Sequence, residues 1–140
     1  MLTNRIIVAI LLSFTVFIPA LGHAEVHDGN DLLQKCNNVI KIYEEGMEES
    51  EITKIMLADA SFCNGMMQGI TNTIIFFGAF QVNQSIVCLP KNGISNGQAA
   101  KVVIKYLKEH PEQLHVADSG LAFLALMDAF PCKERYTDSY

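Results

Sequence analysis

The segment SNGQAAKVVIKYLKEHP, residues 95–111, carries its own punctuation. Ser95 or Asn96 can accept hydrogen bonds from the first free N–H groups of a helix. Pro111 lacks an N–H and clashes with the preceding turn, so it ends one. Between them Ala99, Val102, Val103, Tyr106, Leu107 and His110 recur at spacings of three and four, while Lys101, Lys105, Lys108 and Glu109 point outward. This is the most regular amphipathic helix in the chain, and its apolar stripe needs partners on either side of it in sequence.

Downstream, residues 116–130 are apolar almost all round, which predicts the central, most buried helix. Asp118 can cap it. Pro131 and Cys132 close the domain, and residues 133–140 read as a polar tail. Upstream, residues 81–96 are loop-like, with Pro90, Gly93 and Cys88. Before them a long helix is predicted over residues 53–80, with Met56, Ala60, Cys63, Met67, Ile70, Ile74 and Phe77 on its stripe. Gly65 and Gly69 lie four apart on one side of it. Glycine inside a helix costs about 1 kcal/mol against alanine, so the pair predicts a close helix crossing. The run 74–80 is too short to span a membrane and reads as core.

A first helix follows a polar arm, capped by Asn30 or Asp31, with Leu32, Leu33, Cys36, Val39, Ile40 and Tyr43 inward. Gly46 ends it within an acidic stretch of Glu44, Glu45, Glu48, Glu49 and Glu51. That stretch is either a solvated connector or a contact surface for a basic partner. No strand pattern and no repeat competes. The expected fold is all-α, a small disulfide-stapled bundle of about four helices.

Composition agrees. The 140 residues are 50% hydrophobic and 18% charged, with 15 acidic against 10 basic side chains. That is enough for one core and argues against both disorder and a nucleic-acid partner. Residues 1–24 resemble a secretory signal peptide: Arg5 is their only charge, an apolar run follows, and Gly22 and Ala24 stand at the −3 and −1 positions. Cleavage before Glu25 removes Arg5 and takes the net charge from −5 to −6. The exported domain is then residues 25–132, in a bacterial periplasm.

An oxidising compartment turns Cys36, Cys63, Cys88 and Cys132 into two disulfides. Of the three pairings, Cys36–Cys63 and Cys88–Cys132 are favoured, because the first two sit on the inward faces of neighbouring helices and the others just after helices. A zinc site lacks any C-x2-C or H-x3-H pair. Neither His110 nor His115 has an evident nucleophile beside it, and Asp59, Asp118 and Asp128 are scattered. No catalytic residue, metal ligand or cofactor motif emerges.

Several pieces of the chain form a specific combination: Cys88-Leu89-Pro90, Gly97-Gln98, Tyr106-Leu107, His110-Pro111-Glu112, Leu114-His115, Ala129-Phe130-Pro131-Cys132, and upstream Cys63 with Gly65 and Gly69. Over residues 60–132 this resembles the Rap/Tai family, secreted immunity proteins of bacterial type VI secretion systems. Residues 117–119 depart from it, where a more apolar or proline-containing helix start is expected. The resemblance implies a small helical homodimer. It further implies binding to a delivered effector, a peptidoglycan amidase, inhibited by a loop placed in its catalytic groove. The loop 87–96, with Lys91, Asn92 and Gly93 at its tip, is the expected insert. Glu48 and Glu49 form a second surface that steers a basic partner by charge. Both also read as plain connectors. A second function class is a periplasmic housekeeping or stress chaperone module with the same fold and no dedicated toxin, which the methionine content suits.

Overall fold

The computed structural model describes residues 27–80 and 85–132. The expected signal peptide and C-terminal tail lie outside the described residues. Four helices follow one another: α1 Gly29–Tyr43, α2 Lys54–Phe80, α3 Asn96–Glu109 and α4 Asp118–Ala129. Short 3₁₀ turns occupy Glu49–Glu51 and Pro111–Gln113. Among the described residues there is no strand, only isolated bridges of Asp28 with Ala117 and Val87 with Pro131. The fold is all-α.

α1 starts earlier than the sequence pattern suggests. Asp28, not Asn30 or Asp31, is the cap: its Oδ1 accepts from the N–H groups of Asn30 at 2.9 Å and Asp31 at 3.1 Å. The bridge to Ala117 holds Asp28 in the extended conformation that a cap requires. The Asp31 N–H, then the Asn30 side chain, stabilise the charged carboxylate and hold it below the ordinary aspartate range. Because the folded value lies below the unfolded one, this contribution is complete above about pH 4 and is lost as pH falls through the folded value. Asp28→Asn, which still caps when uncharged, is expected to flatten the acid limb of a stability-against-pH curve. An unchanged limb would remove Asp28 from the acid response.

α1 and α2 run antiparallel, tied by Cys36–Cys63 and by Asn38 Nδ2 donating to Asp59 Oδ2 at 3.1 Å. Leu32, Cys36 and Val39 of α1 meet Ala60, Cys63 and Met67 of α2 in one core with Val103 and Leu107 of α3. Every helix packs against the other three; α1 makes the most extensive contacts, and α4, with five of its 12 residues buried, has the largest buried share, as expected. α4 is the shortest helix and leaves Ser119, Gly120, Asp128 and Ala129 in solvent. Asp118 is not its cap. Ala117 holds that position, while the Asp118 N–H is drawn onto the His27 carbonyl at 3.0 Å and its carboxylate accepts from Ser119. Ser95 does cap α3, accepting from Gln98 N–H at 3.1 Å.

Two expectations about α2 fail together. A Cβ added at Gly65 or Gly69 would meet nothing within 4 Å, so no described helix crosses there. Of the run 74–80, Ile74 is buried, but Ile75, Phe76, Phe77 and Phe80 are exposed. Toward its C-terminal end α2 is apolar on two opposite faces, and the described residues bury one.

Candidate partner-binding surface

The connector between α2 and α3 is pinned at residues 86–88. Val87 is buried, Cys88 N–H donates to the Phe130 carbonyl at 2.8 Å, and Cys132 N–H reaches the Ile86 carbonyl at 3.4 Å. The Cys88–Cys132 disulfide closes the same junction, and the structure also forms the other favoured pair. Pro90 then opens a tight turn in which Gly93 N–H donates to the Pro90 carbonyl at 2.8 Å, with Gly93 at φ +70°. A left-handed φ favours glycine, so the tip needs this residue. Lys91 and Asn92 are exposed at that tip. Behind them lies a cleft of about 310 Å³ lined by Ile74, Ile75, Gly78, Leu89 and Pro90 among others.

The acidic connector has a different character. Glu44 is drawn back to Lys101 of α3 in an ion pair. Glu45, Glu48, Glu49 and Glu51 stay exposed, and none of the four forms an ion pair among the described residues. Gly46, at φ +69°, turns the chain between them. Glu48 and Glu49 thus stand on the α1–α2 connector and Lys91 to Gly93 on the α2–α3 connector. Among the described residues no hydrogen bond or ion pair joins the two.

His27 and His110 have plain structural partners. His110 ends α3, stacks on Tyr106 with ring centroids 4.3 Å apart, and lies 3.3 Å from Glu112 Oε1. Glu112's own backbone N–H, with His110 beside it, holds that carboxyl below its ordinary range. His27 edges onto Phe62, with Lys35 over the same ring at 4.6 Å. All four cysteines are in disulfides, and no three His, Cys, Asp or Glu side chains among the described residues form a metal-binding group. No described helix is long and apolar enough to cross a membrane.

Sequence reasoning missed the second cleft, about 390 Å³, between α2 and α4. Gly69, Thr73, Phe77, Ile86 and Phe123 help to line it. The signal was present, since α2 carries no charged residue from Ala60 to Phe80. Periodicity had assigned those apolar residues to the core.

No curated protein and no solved structure matches the chain. A family model described as Rap1a immunity proteins matches residues 28–132, from the α1 cap to the last cysteine. That span takes in all four helices and both disulfides, and the chain belongs to the Rap1a immunity protein family.

Proposed function

We propose that the chain is an exported immunity protein that binds a peptidoglycan amidase delivered by type VI secretion and blocks it sterically, protecting the producing cell and its kin. In this reading residues 1–24 are removed on export, residues 25–132 form the periplasmic inhibitory domain, and residues 133–140 are an appended tail. The domain acts without catalysis and self-associates as a homodimer.

The observation that carries the reading is the connector at Lys91, Asn92 and Gly93, pinned through Cys88 to the end of α4. A loop held in one shape by its scaffold loses little freedom on binding, which suits insertion into an enzyme's groove. The acidic connector supplies the complementary long-range term, because exposed carboxylates of one sign accelerate encounter with a basic surface.

The test is peptidoglycan hydrolysis by the amidase encoded beside the gene, with and without the oxidised domain. Stoichiometric inhibition with a stable complex on sizing is expected. Full hydrolysis, with suppressed aggregation of unrelated clients, would favour the chaperone reading instead. Reversing Glu48 and Glu49 to lysine is expected to slow association about tenfold at low ionic strength and hardly at all at high salt. An unchanged rate at low salt would remove the steering role.

A further inference from the structure

The outward row of α2 is graded in size. Ser61, Gly65, Gly69, Asn72, Phe76 and Phe80 follow at steps of three and four, so they share one helix face, and all are exposed. The N-terminal half of the row is nearly bare. The C-terminal half carries Phe76, 59% exposed, and Phe80, 73% exposed, with their rings 4.8 Å apart. A helix that is apolar over most of its circumference is ordinarily covered on more than one side. Among the described residues, full burial falls on the opposite side, at residues including Cys63, Met67 and Ile74.

Such a gradient is complementary to itself in one orientation. An antiparallel α2–α2 pair with its two-fold axis between Gly69 and Asn72 sets Phe76 over the partner subunit's Gly65. The same pairing sets Phe80 over the partner subunit's Ser61. The space at Gly65 is open in the single chain, with nothing within 4 Å of an added Cβ. Charge points to the same occupant. Two copies of a net-negative chain repel through most of their surfaces, and near a two-fold axis each residue lies close to its own copy. The stretch from Ala60 to Phe80 contains no charge, so two copies can meet there with no like charges opposed. A different, charged partner would find nothing on this face to match it.

We propose that the row from Ser61 to Phe80 is the seam of a two-fold symmetric dimer of this chain, each copy's Phe76 filling the space above the other's Gly65. The proposal deepens the self-association put forward above and rests on it.

Sedimentation equilibrium of the exported, oxidised protein at micromolar concentration is expected to give a dimer. Phe76→Asp is expected to weaken self-association at least about thirtyfold with helicity and melting of the monomer preserved, because Phe76 is already in solvent there. Gly65→Phe, which fills the open space, is expected to do the same. The double variant Gly65→Phe with Phe76→Ala exchanges bulk and space between the two ends, so it is expected to recover the dimer. A monomeric wild type would overturn both the dimer and its seam. A dimer indifferent to Phe76→Asp and Gly65→Phe would overturn the seam and leave the dimer standing. A dimer intact in Phe76→Asp with effector binding abolished would give this face to the effector. Amidase inhibition, measured separately on the wild type, decides the immunity reading whatever the seam.

Discussion

Replacing Cys36 and Cys63 by alanine is expected to lower the unfolding free energy by about 4–6 kcal/mol, more than the same change at Cys88 and Cys132. Loop closure alone ranks them the other way. The sequence separations are 27 and 44 residues, and the logarithmic dependence on length gives about 3.5 and 4 kcal/mol. Burial reverses the order. Cys36 and Cys63 are fully buried between α1 and α2, so their sulfurs also fill core volume whose loss leaves a void. Cys88 is exposed and its partner half-buried, so little packing goes with them. Since small domains have only about 5–15 kcal/mol in total, the inner pair separates a folded domain from a marginal one. Urea midpoints of the two double variants check this, and an equal or reversed ranking would mean that burial contributes nothing. Thiol reductant should open the exposed pair first.

The second large effect is at the contact of α1 with α4. Gly29 is buried, and its N–H donates to the Leu114 carbonyl at 2.8 Å. A Cβ there would lie 2.6 Å from Leu121 Cδ1 and 3.0 Å from Leu114 Cα. Gly29→Ala is therefore expected to cost about 1–3 kcal/mol through overpacking, although alanine is the better helix former. Leu121→Ala, at a fully buried site, should cost about 2–5 kcal/mol. The double variant should be destabilised by less than the sum, because truncating Leu121 removes the nearest obstacle to the new methyl group. Strict additivity in thermal or urea unfolding would show that the clash is with the Leu114 backbone instead.

Much of this was legible before the structure. α3 was plain because charge and apolar side chains segregate cleanly around it, and Ser95 and Pro111 mark its ends. The inward positions of Cys36 and Cys63 ordered α1 against α2. What escaped was tertiary in origin. Asp28 became the cap of α1 because the bridge to Ala117 places it there, and no local pattern reports a contact 89 positions away. The outer row of α2 escaped for another reason: a helix with two apolar faces has no preferred inward direction that periodicity can detect. In the candidate surface, Pro90 and Gly93 announced the turn. The anchoring of that turn to Phe130 and Ile86 depends on how the ends of α2 and α4 meet.

The pairing of the cysteines also decides what a single peptide-bond cleavage can do. A cut between Cys36 and Cys63 leaves two fragments still joined by their disulfide, and a cut between Cys88 and Cys132 does likewise. Between Cys36 and Cys132, only a cut from Cys63 to Cys88 separates the molecule into two covalently independent pieces. Most of that span lies in α2. In a compartment patrolled by proteases, the lifetime of the protein then depends on how seldom this one helix and the chain just after it are opened, and a second subunit laid along α2 would lengthen it.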